Sequence, residues 1–223
     1  MMQRIFDLAF SSLALLVLSP LMIPLVLILR FSGEGEIFYK QNRVGLNSKS
    51  FGLLKFATML KNSPNLGTGN MTIKNDPRIL PLGNFLRKTK INELPQLLNI
   101  FLGDMSFIGP RPLTQDHFDR YKPSVQQVIA SVQPGLSGIG SIVFRDEEEM
   151  LHQHTDAKEF YKEYISPYKG TLEVWYVKHQ GLVTYFTLIF LTIWVVVFSK
   201  SNAAWKVFSS LPKPPLVLEK YFL

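Results

Sequence analysis

Cysteine is absent from the 223 residues. That absence removes disulfides, thiolate metal sites and cysteine nucleophiles together. Charge is sparse, at 18% of the chain against 47% apolar residues. Acid is the scarcer sign, with 17 Asp and Glu against 24 Lys and Arg, for a formal net charge of +7. A basic chain this apolar points to an anionic membrane surface or to phosphate-bearing substrates. Nucleic acid is disfavoured, because no long Lys/Arg run and no zinc-finger or basic-zipper spacing occurs. The common catalytic templates are missing too: no Walker-type loop, Gly-x-Gly-x-x-Gly, Gly-x-Ser-x-Gly or His-Glu-x-x-His. Internal repeats are also absent.

Long apolar runs are present. Leu8 to Arg30 carries no charge before Arg30 itself. That meets the length of about 20 apolar residues needed to span a bilayer. A signal peptide is disfavoured, since the run is too long and no small-x-small cleavage site follows it. Ser19-Pro20 interrupts the run, and Pro24 follows. Proline removes one helical hydrogen bond and clashes with the preceding turn. Two geometries fit: a kinked single span, or a helix-break-helix that enters and leaves one leaflet. Positive charge on both flanks (Arg4 before; Arg30, Lys40 and Arg43 after) gives no inside-outside bias. A second run, Leu182 to Phe198, is marginal for a span and equally suits a surface or partly inserted helix. The tail beyond it mixes Lys206, Lys213 and Lys220 with aromatics and prolines, as a surface-lying or disordered end does.

Between these runs, Ile37–Tyr39 and Phe51–Leu54 read as short strands around the polar turn 45–48. Residues 61 to 77 read as a loop. Ile79 to Leu102 predicts two short amphipathic helices. Arg78, Arg87, Lys88 and Lys90 around the first would let it lie on an anionic membrane; a core-facing helix is the alternative. Residues 114–131 and 146–169 read as mostly solvated helices, with the acidic run 146–149 as a helix start.

Functional residue types are densest from Arg87 to Pro112. Asn92 before Glu93-Leu94-Pro95 suits a helix N-cap with proline in the first turn. A helix start just after Arg87, Lys88 and Lys90 makes an anion site. Glu93 there could hold a divalent cation that bridges phosphates; a capped helix with a solvated Glu is the plainer reading. Gly109-Pro110-Arg111-Pro112 is a stiff turn that presents one planar guanidinium. His152-x-His154 is the one short-spaced histidine pair. Surface histidines are its ordinary meaning, with metal binding the minor one.

These segments resemble the bacterial sugar transferases, the monotopic polyprenol-phosphate phosphoglycosyl transferases. In order, the motifs are RIFDL at 4–8 with the Ser19-Pro20 break, IFYKQNRVG at 37–45, KFATM at 55–59 and NDPR at 75–78. FLRKTKINELPQLLN at 85–99, GDMSFIGPRPL at 103–113, QPGLSG at 133–138 and WYVK at 175–178 follow. The resemblance implies an α+β, mainly helical monotopic membrane protein. It would have a re-entrant helix broken at Ser19 and Pro20, amphipathic surface helices and a small β element. The expected divisions are a membrane helix at 1–33, a cytoplasmic catalytic domain at 34–180, and an apolar helix with a basic-aromatic tail at 181–223.

The resemblance also implies an activity. A phosphosugar passes from a UDP-sugar to polyprenol phosphate, releasing UMP, with magnesium (Mg2+). The setting is the cytoplasmic face of a bacterial inner membrane, as the first step of cell-surface polysaccharide assembly. Inner-membrane lipid is an implied partner; downstream glycosyltransferases and self-association are further candidates. Glu93 matches the family's magnesium-holding glutamate. Arg87 and Arg111 match its phosphate-binding arginines, and Arg145 aligns with a third.

The sequence also departs from the family. The nucleophilic Asp aligns with Asn92, and a neutral amide is a poor nucleophile at phosphorus. Ala57 replaces the Arg of Lys-Phe-Arg-Thr-Met. Ile139 to Arg145 replaces Trp-Ala-Gln-Val-Asn-Gly-Arg. Three readings stay open: polyprenol phosphate attacks the donor directly, Glu93 becomes the nucleophile, or the chain is a catalytically impaired membrane scaffold.

Overall fold

The computed structural model describes residues 2–66, 76–198 and 202–222. In chain order its elements are α1 (Met2–Arg30), β1 (Phe38–Val44), β2 (Ser50–Phe56), α2 (Gly83–Lys88), α3 (Gln96–Leu102) and β3 (Ser106–Ile108). Then come α4 (Gln115–Phe118), α5 (Pro123–Ile129), β4 (Gly135–Ser137), α6 (Ile139–Val143), α7 (Glu147–His152) and α8 (Ala157–Phe160). A π-helical turn, Tyr161–Ile165, leads into α9 (Ser166–Lys178), and α10 (Leu182–Val197), α11 (Ala203–Val207) and α12 (Leu216–Phe222) complete the chain. The protein is mainly helical, with small sheets and an N-terminal apolar helix. Its contacts divide it into two compact units. The larger is Met1–Asp7, Arg43–Phe51 and Gly103–Leu223; the smaller is Leu8–Asn42 and Gly52–Leu102.

Ser19-Pro20 falls within one helical segment. α1 runs for 29 residues with Pro20 and Pro24 inside it. Pro20 has no N–H for the Leu16 carbonyl, and the Ser19 hydroxyl donates to that carbonyl instead, at 2.7 Å. The neighbouring serine thus satisfies the acceptor that the proline leaves open. Among the described residues, α1 is the one helix long and apolar enough to cross a membrane, and only 11% of its most apolar window is buried. The buried part is specific: Leu25 and Leu29 pack with Phe56 and Leu86, joined by Ile37, Leu82, Ile91 and Leu94. The rest, including Leu13, Leu16 and Val17, is exposed.

Arg78 does not serve as a membrane-facing cation. It is buried, its guanidinium bonds both oxygens of Asp76 at 2.8 and 2.6 Å, and it donates to the Ser63 and Leu66 carbonyls. A planar fork with several donors ties this loop together, and the head group is spent inside the protein. The middle of the expected loop, 67–75, with Asn75 of the NDPR motif, lies outside the described residues.

The larger unit holds the main core. Ile108, Ile139, Ile165, Leu172, Tyr185, Leu188 and Leu218 are each at most 2% exposed within it. α10 buries Tyr185, Leu188, Leu191 and Val195 along one stripe and leaves Val183, Phe190, Ile193 and Val197 outside. Its 16 residues rise about 24 Å, short of the roughly 30 Å of bilayer hydrocarbon. The tail is folded back rather than loose. Tyr168 and Trp205 donate to the Pro212 carbonyl, and Phe222 packs edge-on against Phe144.

β3 and β4 pair in parallel, Ser106 with Gly135 and Ile108 with Ser137. Glycine makes this pairing feasible. A methyl on Gly135 would lie 2.1 Å from the Gly109 nitrogen, and one on Gly138 2.1 Å from the Gly109 carbonyl oxygen. The GDMSFIGPRP and QPGLSG segments are therefore two halves of one contact, closed by backbones too near for side chains.

Candidate active site

In the smaller unit, α2 ends at Lys88 and the chain turns through Lys90 in the left-handed region, φ 61°. A 3-10 turn, Ile91–Glu93, follows, and α3 starts only at Gln96. This corrects the N-cap expectation: Asn92 lies inside the 3-10 turn. A left-handed lysine is unusual, because a Cβ is crowded there. It redirects the chain so that Ile91 and Leu94 reach the cluster of Leu25 and Leu29 on α1. Asn92 and Glu93 are thereby carried on a turn anchored to the apolar helix.

The side chains of this turn are polar and constrained. Glu93 Oε1 lies 3.3 Å from Lys55 Nζ, with their side chains 29% and 21% exposed. Asn92 is buried, and its Oδ1 has no hydrogen-bond partner among the described residues. Arg87 is half-buried on the last turn of α2, with Nη1 3.4 Å from Met59 Sδ. Asn99 on α3 pins β2 in place. Its Oδ1 accepts from Leu54 N–H and its Nδ2 donates to the Gly52 carbonyl, both at 2.9 Å. Since Lys55 follows Leu54, that pair of bonds fixes the lysine that meets Glu93.

Arg111 and Arg145 belong to the larger unit, and both are exposed. Arg111 sits on the turn after β3, where the Pro112 carbonyl accepts from Arg43 Nη1 at 3.1 Å. A mainly apolar pocket beside it is lined by Val44, Pro110, Leu113, Phe118 and Ile129. The larger unit also holds a half-buried ion pair. Lys169 pairs with Glu147, and its ammonium sits 5.1 Å from the Phe144 ring centre and 5.7 Å from that of Tyr161. Burial pulls the Lys169 pKa down, against the opposing pull of Glu147. Burial pushes the Glu173 carboxyl up to about 7, against the Arg111 backbone N–H and the charges of Lys169 and Arg111.

A model of the bacterial sugar transferase family matches residues 1–199. The chain belongs to this family. It is 36% identical over 161 residues to the exopolysaccharide production protein ExoY of Rhizobium meliloti (strain 1021), covering 66% of this chain and 71% of that protein. It is 33% identical over 168 residues to the UDP-glucose:undecaprenyl-phosphate glucose-1-phosphate transferase of Escherichia coli (strain K12), covering 74% of this chain. It is 32% identical over 209 residues to the undecaprenyl-phosphate galactose phosphotransferase of Salmonella typhimurium (strain LT2), covering 87% of this chain. The sugar transferase spans only 36% and 40% of those last two proteins.

Of the sequence-derived residues, the fold brings Arg87, Asn92 and Glu93 onto one short stretch of the smaller unit. Sequence reading overlooked Lys55, Asn99, Lys169 and Glu173. Lys55 stood inside the KFATM motif, and a strand lysine facing an invested acid was the available signal. The histidine pair is not a metal site by geometry: His152 is exposed, while His154 stacks on Phe160 and bonds Tyr221. Among the described residues no group of three His, Asp or Glu side chains gathers as a metal cage. The 3-10 turn offers oxygen donors of the kind that Mg2+ takes. Glu93 supplies one carboxylate and Asn92 Oδ1 an unsatisfied buried oxygen, and Mg2+ is commonly held by one or two carboxylates plus substrate phosphates.

Proposed function

We propose that this sugar transferase moves a phosphosugar from a UDP-sugar to polyprenol phosphate at a membrane surface, releasing UMP. The product, polyprenol-diphosphate-sugar, would start a cell-surface polysaccharide at the cytoplasmic face of the inner membrane. The observation that carries this reading is the 3-10 turn of Asn92 and Glu93. It is anchored by Ile91 and Leu94 to an apolar, largely uncovered helix, and it has Lys55 against its acid. A lipid-phosphate acceptor needs its reactive head at the foot of an apolar element, and this turn is so built. The relatives named for undecaprenyl-phosphate glucose and galactose phosphotransfer support the same reaction class.

In the proposed reaction a phosphate oxygen of the acceptor forms a bond to the sugar-bearing phosphorus of the donor. The bond from that phosphorus to the bridging oxygen breaks, and the electron pair leaves on UMP. Phosphoryl transfer needs positioning and charge neutralisation more than covalent help from the protein. Arg87 in the smaller unit, and Arg111 and Arg145 in the larger, each carry a guanidinium fork of the kind that takes phosphate oxygens. Lys55 orients the Glu93 carboxylate. Magnesium, held by Glu93 and the Asn92 amide oxygen, would neutralise diphosphate charge. Direct attack is favoured over a Glu93 nucleophile, because an ion-paired carboxylate is a weakened nucleophile. Incubation with donor labelled in the sugar phosphate separates the two: turnover without label on the protein supports direct attack, and a trapped adduct contradicts it.

The broad test is UMP release from a panel of UDP-sugars with polyprenol phosphate and magnesium. Release from at least one supports the reading; release from none, by folded protein, overturns it. The second reading, a membrane scaffold that binds lipid phosphate, is favoured only by the neutral Asn92. Activity that appears in Asn92→Asp and is absent from the parent chain supports the scaffold.

A further inference from the structure

Glu173 is a buried acid on α9 with no part in the chemistry above, and three segments of the larger unit meet on its carboxyl group. The first is the 109–112 turn, whose Arg111 backbone N–H donates to it. The second is α6, where a methyl on Gly140 would lie 2.4 Å from Glu173 Oε1. The third is α9 itself, where Lys169 sits one turn earlier and is bound to Glu147. Glu173 Oε2 is buried without a hydrogen-bond partner among the described residues. The charge of Glu173 also reaches Tyr121 and Tyr176, so Lys169, Arg111, Glu147 and these two phenols make up its charged and titratable surroundings.

The arrangement is a steric lock. The carboxyl occupies the space that only glycine at 140 leaves open, and from there it reaches the Arg111 backbone. Arg111 is exposed, so its side chain has no packing to hold it. Its aim depends on the backbone from which it projects, and a hydrogen bond to an ionised acceptor is about twice as strong as a neutral one.

We propose that Glu173, seated in the gap beside Gly140, is a positioning residue for Arg111, fixing the turn that presents the guanidinium to a phosphate. This role presupposes the reading of Arg111 as a phosphate ligand. The raised Glu173 pKa, about 7, adds that the lock weakens as the carboxyl takes up a proton below neutrality.

The test is steady-state UMP release with a UDP-sugar that the panel finds active, with a melting curve for each variant. Gly140→Ala pushes the carboxyl off its seat and raises KM for the donor about tenfold, with kcat within about twofold. Adding Glu173→Asp, one methylene shorter, makes room for the methyl and returns KM to within about twofold of the parent. In an Arg111→Ala background Gly140→Ala adds less than about twofold, since the group it would misplace is gone. Gly140→Ala with unchanged KM overturns the positioning role alone, as does a full tenfold rise in the Arg111→Ala background. Arg111→Ala with unchanged KM removes the phosphate role of Arg111 and the positioning role with it. Should Gly140→Ala not fold, Glu173→Ala alone decides. It removes the acceptor of the Arg111 N–H and raises KM about fivefold, and an unchanged KM overturns the proposal.

Discussion

The two units solve the problem of burying apolar surface in different ways. The larger unit has a continuous core from Ile108 through Leu172 and Leu188 to Leu218, closed by a tail that folds back over Tyr168 and Trp175, and it leaves bare one face of α10 and parts of the tail. The smaller unit has a core centred on Leu25, Leu29, Phe56 and Leu86, while Leu13, Leu16, Val17, Ile23 and Leu27 of α1 stay exposed. Apolar area left uncovered on this scale marks contact with another apolar phase. The candidate catalytic turn lies in the unit that carries the long apolar helix. Stability and chemistry therefore answer to different surroundings, and substitutions in each unit should separate them.

The largest expected effect is on chemistry in the smaller unit. Arg87→Ala lowers UMP release by about a hundredfold or more, with the melting temperature little changed, as loss of a preorganised charge does. Next comes the core of the larger unit. Leu172→Ala, at a site fully buried, costs about 3 kcal/mol of stability in detergent and bilayer alike. Its counterpart, Leu16→Ser on the exposed face of α1, leaves detergent stability nearly unchanged and weakens recovery in the membrane fraction. A Leu16→Ser chain that unfolds in detergent would erase the distinction between the units.

A pH effect of similar size is expected in the larger unit. Glu173 has its pKa raised to about 7 in the folded chain from an ordinary 4.5. Below pH 4.5 it is protonated in both states and its burial is harmless. As pH rises toward 7 the unfolded chain ionises it first, so stability is lost across that window. Glu173→Gln cannot ionise, and its stability relative to the parent should rise by about 3 kcal/mol between pH 4.5 and 7, then level off. Denaturant titrations at several pH values check the sign. The smallest effect concerns Asp7, whose Oδ1 accepts from Tyr185 OH at 2.8 Å, Phe107 N–H at 3.0 Å and Ser106 Oγ at 3.1 Å. Tyr185→Phe removes one of these donors and costs about 1 kcal/mol, read as a shift in the melting temperature.

The same contrast explains what was legible in the sequence. Local signals read correctly. The hairpin around residues 45–48, the short helices α2 and α3, and the acidic start of α7 all follow from turn residues and periodicity. Long-range compensation did not. Ser19 rescues the carbonyl that Pro20 abandons, so the helical segment runs on through both prolines. Asn92 has good capping chemistry, but the left-handed Lys90 and the pull of Ile91 and Leu94 toward α1 place it inside a 3-10 turn. Arg78 looked like a surface cation until Asp76 and two carbonyls claimed it. Glu173 was silent in sequence, because its meaning depends on a missing methyl 33 positions away at Gly140.

The central claim is that the acid of the 3-10 turn beside the apolar helix takes part in phosphoryl transfer. UMP release by the parent chain and by Glu93→Gln, in the same lipid, with the same UDP-sugar, polyprenol phosphate and magnesium, tests it most directly. The account predicts acceptor-dependent release by the parent and a loss of about a hundredfold to a thousandfold in the variant, with both chains folded. Undiminished release by Glu93→Gln would contradict it.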